Sequence, residues 1–156
     1  MTIAACAPKT PPPVVPGAPR FPDYVYPQVP DRLGDARVRG RHEVAWRYLQ
    51  AGDLQTAGKE YTSLASASSV FYPAETGLGY VLVAERRFAD ALGRFERVLR
   101  RVPTYAPALA GRGEALAATG QVALAIASFE AARAADPALT DLGRRVDVLR
   151  FGRVNE

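Results

Sequence analysis

The amino-acid sequence predicts an all-α protein: an α-solenoid of three helical hairpins and a C-terminal capping helix, behind an extended proline-rich N-terminal tail. Three observations lead to this prediction. Residues 44–132 contain a repeat with a 34-residue period. Apolar residues recur at helical spacing along each repeat. The composition changes near Pro30, because nine of the 13 prolines lie in residues 7–30, whereas residues 37–151 are rich in alanine, leucine, valine and arginine.

The repeat aligns without gaps in three segments that begin at Val44, Leu78 and Arg112. Four kinds of residue keep the 34-residue interval. They are the alanines Ala57, Ala91 and Ala125, the aromatics Tyr61, Phe95 and Phe129, the small residues Ala45, Gly79 and Gly113, and the prolines Pro103 and Pro137. A period of this length is typical of solenoids, in which each repeat buries its apolar face against the next.

The repeats predict three helical hairpins, and the residues after them predict one more helix. The six hairpin helices are expected at residues 36–50, 54–67, 74–85, 88–101, 106–119 and 122–135. A seventh is expected from about 138 to 152, because Leu142, Val146 and Leu149 form one apolar stripe. It can cover the face that the last repeat leaves open; alternatively it begins a further repeat, for which Phe151 and Val154 are suited. The sequence thus predicts a proline-rich tail over residues 1–30, three repeats over residues 31–139 and a C-terminal capping helix over residues 140–156.

This pattern resembles the tetratricopeptide repeat over residues 38 to about 139. The resemblance implies a right-handed solenoid of antiparallel helix pairs. It also implies that the small residues at 45, 79 and 113 face the alanines at 57, 91 and 125 where two helices cross. Gly52 and Gly120 are expected to make the turns within hairpins, since glycine accepts the left-handed conformation. Arg86 stands at the equivalent position of the second hairpin and departs from the pattern.

The N-terminal tail has two parts. Closely spaced prolines predict a polyproline-like conformation without helix over residues 7–20. The segment from Phe21 to Pro27 carries three aromatic residues and a valine. Such a strip either lies in a groove or remains exposed, and the sequence leaves both alternatives open.

The residues before Cys6 resemble the lipobox of bacterial lipoproteins. Ile3-Ala4-Ala5 supplies the aliphatic and small residues that precede a lipidated cysteine, and the proline-rich tail would be its tether. The pattern lacks the basic and apolar regions of a secretory signal, since only five residues precede Cys6. If the start is truncated, the resemblance implies a lipid-anchored protein on the periplasmic side of the bacterial envelope, at the outer membrane; otherwise the chain is expected in the cytoplasm.

Charge gives a weaker indication of partners. The formal net charge of +4 comes mainly from arginine. The densest group lies on one predicted helix and comprises Arg94, Arg97, Arg100 and Arg101. A solvated outer face explains it. Phosphate or RNA binding is an alternative that predicts steep salt dependence. Because no nucleic-acid-binding motif is present, nucleic acid is not an expected partner.

Few residues are suited to catalysis. Nucleophilic catalysis by serine or cysteine needs a base, and the only histidine, His42, lies on a predicted helix with no motif around it. Five residues separate Gly52 from Gly58, where a Walker loop has four, and Glu60 follows Lys59 in place of serine or threonine. The sequence therefore predicts no enzyme, no cofactor and no metal site.

The tetratricopeptide resemblance implies a concave surface on which extended peptides or helices bind. The residues expected there are Arg39, His42, Trp46, Leu49, Thr76, Tyr80, Val83 and Glu114, continued by Arg144 and Val148 on the last helix. Trp46 and Tyr80 are 34 residues apart, and large aromatics commonly anchor interfaces. The lysines and asparagines with which chaperone-binding members of the family hold a peptide carboxylate are missing. An apolar ligand is therefore expected. Alternatively, Trp46 packs against the entering N-terminal segment.

Two functional hypotheses follow. The first is a protein-interaction scaffold that binds a partner peptide or helix in this groove, in bacterial envelope assembly if Cys6 is lipidated. The second is a structural module that forms homo-oligomers and whose groove is filled by its own Phe21–Pro27 segment. In both, a membrane is contacted only through lipidation of Cys6.

Overall fold

The computed structural model describes residues 17–152, which form seven α-helices. They are α1 (Ala36–Ala51), α2 (Leu54–Ala67), α3 (Tyr72–Ala84), α4 (Phe88–Arg101), α5 (Ala106–Ala118), α6 (Val122–Ala135) and α7 (Asp141–Phe151). Each helix packs against the next along the chain, and α3 also contacts α5. The described residues include no β-strand, so this part of the chain is the all-α solenoid of hairpins that the sequence predicts. None of its helices is long and apolar enough to cross a lipid bilayer.

The helix bounds differ from the predicted ones mainly at two starts. The second helices of the hairpins, α2, α4 and α6, have the predicted bounds. Helix α3 begins at Tyr72, two residues earlier than expected, since proline is tolerated in a first turn and Pro73 lies there. Helix α7 begins later, at Asp141, because the Asp136 side chain accepts a hydrogen bond from the Ala138 amide at 3.0 Å and holds a turn.

One buried aromatic ring per repeat joins each hairpin to its neighbour. The Phe95 side chain of α4 is fully buried. A Cβ atom built on Gly79 would lie 2.5 Å from its ring, and one on Gly111 would lie 2.4 Å from it. The ring is therefore held between the backbone of its own hairpin, at α3, and that of the next, at α5.

The other repeats use parts of the same arrangement. A Cβ atom on Gly113 would lie 2.7 Å from the Phe129 ring, and one on Gly77 would lie 2.4 Å from the Tyr61 ring. The alanines at 57, 91 and 125 are fully buried, as expected. The atoms nearest to a Cβ built on Gly79 or Gly113 belong to the aromatic ring of the same hairpin, and the expected contact of these glycines with the alanines stays a prediction.

Substitution of Gly111 by alanine should lower the free energy of unfolding, although alanine is the better helix former. The new methyl group meets the Phe95 ring, and overpacking of this kind costs about 1–3 kcal/mol. The matched control is Gly93→Ala in α4, where a Cβ atom would meet nothing within 4 Å. That change should stabilise the chain by about 1 kcal/mol. Urea unfolding of both variants checks the prediction, which two changes of the same sign would contradict.

The glycines that lie against an aromatic ring of the preceding hairpin, Gly77 and Gly111, here called the glycine column, have no counterpart in α7. Gly77 and Gly111 are 34 residues apart, and the next position in phase is Arg145. The guanidinium carbon of Arg145 lies 5.8 Å from the centroid of the Phe129 ring, within range of a cation–π contact. The same guanidinium forms an ion pair with Glu114 of α5. Helix α7 thus covers the last aromatic ring with a charged side chain rather than with bare backbone.

The three hairpin turns share one backbone conformation. Gly52 and Gly120 have φ angles of 84° and 77°, as the sequence predicts for these turns. Arg86, at the equivalent position, has a φ angle of 63°. The second turn therefore keeps the shape of the other two, and it does so in a conformation that a residue with a Cβ atom rarely adopts.

Replacement of Arg86 by glycine should raise the free energy of unfolding by about 1 kcal/mol, because the left-handed conformation costs a residue with a side chain roughly that amount. The reverse change is the control. Gly120→Ala, where a Cβ atom meets no neighbour within 4 Å, should cost a similar amount through the backbone alone. Thermal and denaturant unfolding measure both changes. An unchanged or lower stability of the glycine variant at 86 would refute the assignment of strain.

Candidate functional site

Residues 20–30, here called the groove segment, lie across the first helices of the hairpins. The ring of Tyr24 contacts that of Tyr80 in α3, with centroids 4.9 Å apart. The ring of Tyr26 meets Trp46 of α1 edge-on at 5.5 Å. The aromatic surface expected from the sequence is thus covered by aromatic residues of the chain itself. Of the two alternatives for Trp46, the structure has the packing against the N-terminal segment.

The first end of the groove segment is bound through its backbone by α1. The Gln50 Nε2 atom donates a hydrogen bond to the Phe21 carbonyl at 3.0 Å, and Gln50 Oε1 accepts one from the Phe21 amide at 3.2 Å. The Arg20 amide donates to the Gln50 carbonyl at 2.8 Å. A residue of an added β-strand exchanges two such hydrogen bonds with a neighbouring backbone, whereas Phe21 exchanges them with the side-chain amide of Gln50.

The other end is bound by two buried side chains from different hairpins. His42 Nε2 of α1 donates a hydrogen bond to the Pro27 carbonyl at 2.8 Å. The Tyr105 hydroxyl, just before α5, donates to the Gln28 carbonyl at 2.7 Å. These donors contact main-chain atoms, so they recognise an extended backbone rather than particular side chains. The identity of the aromatic residues is read separately by the rings of α1 and α3.

Tyr80 lies at the centre of the surface and is fully buried. Its hydroxyl donates to the Pro107 carbonyl at 2.8 Å and accepts from the Val25 amide at 3.4 Å. Burial raises the pKa of this hydroxyl well above its usual value, so the group stays protonated and keeps its donor. Tyr80 therefore connects the groove segment to α5.

His42 is a buried neutral histidine. Its ring is packed edge-on against Tyr61 at 5.3 Å and Phe71 at 5.6 Å. Because a carbonyl can only accept, Nε2 carries the proton in the contact with Pro27. The Nδ1 atom has no hydrogen-bond partner among residues 17–152. Burial lowers the pKa of His42 to about 4, against a partial opposing effect of the hydrogen bond to Pro27.

The stability of the chain should therefore fall as the pH is lowered from 7 to 5. The unfolded state, with a histidine pKa near 6.5, takes up a proton before the folded state does, and this costs about 2 kcal/mol over that range. Denaturant unfolding at pH 7 and pH 5 measures the effect. The His42→Gln variant keeps a donor for the Pro27 carbonyl but does not titrate, so its loss should be smaller by that amount. Equal losses in both proteins would contradict the prediction.

Six of the eight residues predicted to line the groove are buried: His42, Leu49, Thr76, Tyr80, Val83 and Glu114. Thr76 Oγ1 donates to the Tyr72 carbonyl of its own helix at 3.1 Å. Arg39, with its side chain 35% exposed, donates to the Pro30 carbonyl at 3.3 Å and to the Asp31 carbonyl. Four of the eight contact the groove segment: Arg39, His42, Trp46 and Tyr80. Their contact with a partner stays a prediction.

Two residues of this surface were not expected from the sequence. Tyr105 precedes α5, outside the helices that were expected to line the groove, although it lies 34 residues after the buried Phe71. On the last helix the inward residue is Arg145 and not Arg144, whose side chain is 70% exposed. The interruption of the glycine column at 145 was the signal in the sequence. Within residues 17–152, no group of three or more histidine, cysteine, aspartate or glutamate residues is placed to hold a metal ion.

The fold and this surface define a class of protein: a solenoid of helical hairpins whose inner face holds an extended polypeptide. A family model described as Tetratricopeptide repeat matches residues 76–139. Residues 76–139, from α3 to the turn after α6, therefore match the tetratricopeptide repeat that the sequence resemblance implied, and the helical hairpins of the described residues have the corresponding fold.

Solved structures agree with this fold. Nineteen chains match, among them the first tetratricopeptide-repeat domain of Spaghetti (RPAP3) bound to the HSP90 peptide SRMEEVD. That match has a TM-score of 0.65 at 16% sequence identity and covers 78% of this chain and 96% of the other. At this identity the likeness shows the fold alone. No curated protein matches the sequence significantly.

Proposed function

We propose that this chain is a protein-interaction scaffold without catalytic activity, whose concave surface recognises an extended, aromatic polypeptide segment. In the isolated chain the groove segment occupies this surface. A partner would present a segment of the same character, with an extended backbone and two aromatic side chains spaced like Tyr24 and Tyr26.

One observation carries the proposal: side-chain donors from the first and third hairpins converge on main-chain carbonyls of an irregular segment. His42, Gln50 and Tyr105 each bind a backbone carbonyl, while Trp46 and Tyr80 contact its rings. Main-chain hydrogen bonds combined with side-chain contacts are how extended peptides are commonly recognised. The similar domain of Spaghetti (RPAP3) binds a peptide, which supports the same use of this fold here.

Occupancy by the chain itself sets how a partner competes. A segment tethered by a short linker has an effective concentration in the millimolar range. A free peptide with micromolar affinity therefore cannot displace the groove segment at ordinary concentrations. Binding in trans is expected once the segment is weakened or held elsewhere.

Trp46 makes this testable, because it is the only tryptophan and contacts Tyr26 and Tyr80. In the full chain carrying Tyr24→Ser and Tyr26→Ser, the emission of Trp46 should shift to longer wavelength. A peptide of residues 20–30 should reverse the shift with micromolar affinity, whereas the same peptide with serine at both tyrosines should not. The wild-type chain should respond to neither peptide.

Two results would contradict the proposal. The first is a variant whose Trp46 emission shifts but which binds no peptide. This result would mean that the groove segment is a permanent part of the core and not an exchangeable ligand. Wild-type chain that sediments as a dimer, and that becomes monomeric with the two serine substitutions, would favour the homo-oligomeric module instead.

The place of action is a separate proposal. Cys6 lies outside the described residues, and its lipidation is proposed from its lipobox-like neighbours alone. If Cys6 is lipidated, the scaffold would be anchored on the periplasmic side of the bacterial envelope. Expression from the native locus with alkyne-palmitate labelling should give a labelled product that Cys6→Ser abolishes. An unlabelled wild-type product would leave a cytoplasmic protein.

A further inference from the structure

A second groove, here called the outer groove, lies between α2 and α4 on the other side of α3 from the groove segment. Leu78 of α3 lines it, and a residue two positions from Tyr80 lies about 200° round the helix from it. The outer groove contains a cavity of about 510 Å³. A neighbouring cavity of similar volume continues it between the same two helices and reaches Gly58 and Gly93.

One half of the outer groove is strongly basic. Four arginines of α4 line the first cavity: Arg94, Arg97, Arg100 and Arg101. Among the described residues that line this first cavity there is one carboxylate, Glu75, which Arg94 and Arg97 contact at 2.7 and 3.3 Å, whereas Glu85 and Asp90 line the continuing cavity. Arg101 donates to the Ser69 carbonyl at 2.6 Å, and Arg100 forms no ion pair within residues 17–152. Since each guanidinium carries five N–H donors, these contacts occupy only a few of the donors of the four arginines.

The repeat does not require arginine at these positions. The residues 34 positions earlier are Glu60, Ser63, Ser66 and Ala67, and those 34 positions later are Ser128, Ala131, Ala134 and Ala135. In both neighbouring hairpins the second helix begins and ends at the positions equivalent to those of α4, one 34-residue period away. The basic cluster is therefore a property of the second hairpin alone, and stability of the array does not explain it.

The floor of the groove is apolar. Phe71 and Leu78 are buried side chains that line it between the arginines and α2. The ring of Tyr72 is packed edge-on against Tyr105 at 4.8 Å. Single-stranded nucleic acid is bound by stacking of bases on open aromatic faces, whereas the ring of Phe71 is buried and that of Tyr72 is partly buried. Arginine in contrast binds carboxylates in bidentate fashion, and an apolar floor accepts aliphatic side chains.

We propose that the outer groove binds an acidic peptide segment of a partner protein, with carboxylates on the arginines of α4 and an aliphatic side chain on the floor. This goes beyond the proposed role of the concave surface and does not depend on it. Residues 1–16 of the chain contain no aspartate or glutamate, so they are unsuited to be the occupant.

The probe is a fluorescein-labelled peptide of alternating glutamate pairs and leucines, measured by anisotropy with the full chain at 50 mM salt. The Arg97→Gln, Arg100→Gln double variant should weaken binding at least tenfold. It leaves Arg94 on Glu75, so the fold is expected to persist, and circular dichroism verifies this. The control is Arg37→Gln, Arg144→Gln, which removes the same charge from exposed positions elsewhere and should change binding less than twofold.

Three results would overturn the proposal. The first is absence of binding at millimolar concentrations. The second is an equal loss in both double variants, which would mean attraction to net charge only. The third is a labelled oligonucleotide or inorganic phosphate that competes more strongly than the unlabelled acidic peptide, which would make the groove a phosphate site. A glutamine version of the peptide should fail to bind.

Discussion

Phe95→Ala is expected to lower the free energy of unfolding by about 4 kcal/mol. The ring is fully buried and fills the space between Gly79 and Gly111. Neither glycine has a side chain that could move into the cavity. The loss should therefore contain the full cost of an unfilled void in addition to the lost apolar burial.

The matched control is Leu124→Ala on α6, whose side chain is 57% exposed. Truncation there should change stability by less than about 0.5 kcal/mol. Equilibrium urea unfolding with circular dichroism and with Trp46 fluorescence gives both values. A loss below about 2 kcal/mol for the Phe95 variant would mean that α3 and α5 close on the vacated space, and it would contradict the rigid placement of the ring between these two helices.

Arg145→Ala is expected to cost about 3 kcal/mol, because it leaves the Glu114 carboxylate buried without its cation. Glu114 is 8% exposed, and Arg145 Nε donates to its Oε1 at 3.1 Å. Burial already raises the pKa of Glu114, while Arg145 lowers it. The substitution also removes the cation over the Phe129 ring.

The surface pair between Arg150 and Glu130 provides the control for this experiment. Both side chains are nearly half exposed, so Arg150→Ala should cost less than about 1 kcal/mol. Adding Glu114→Gln to Arg145→Ala should recover part of the loss, since a neutral amide is less costly to bury than an unpaired charge. If the double variant is no more stable than Arg145→Ala, the buried charge is not the cause.

The same variant has a defined pH dependence. Burial already raises the folded-state pKa of Glu114, and loss of Arg145 raises it further, so the folded variant takes up the proton at a higher pH than the folded wild type does. The difference in stability between wild type and Arg145→Ala should therefore narrow from pH 7 to pH 5. Chemical denaturation at the two pH values measures it, and a constant difference would contradict the electrostatic explanation.

The hairpins could be predicted from the sequence because they depend on local and repeated features. The 34-residue interval of Phe95 and its equivalents reflects packing that each repeat must reproduce, so the period gives the element order directly. Even the Arg86 turn follows the array, against its own backbone preference. The contact of Gly79 with the Phe95 ring was not predicted, since spacing shows which residues are equivalent but not which neighbour a residue meets.

The concave surface could be predicted only in part. Trp46, Tyr80 and His42 were found as its lining by their place in the repeat, but the occupant has no repeat and no periodic pattern. Pro27 and Gln28 are bound through their main-chain carbonyls. Every residue carries this group, so these contacts could not be predicted from the identity of the residues. Arg145 was missed because the glycine found at 77 and 111 is replaced by arginine at this position of the period, so the residue type that marks the position is lost.

The groove segment also changes how this array should unfold. In a repeat protein each unit touches only its neighbours, and the ends open independently of the middle. Here one strip of chain is tied to Gln50 in α1, to Tyr80 in α3 and to Tyr105 before α5. Opening of the first hairpin must release contacts on the third. Amide hydrogen exchange in the first three odd-numbered helices should accordingly report one shared opening, and the protein behaves as a closed cooperative unit rather than as a chain of separable modules.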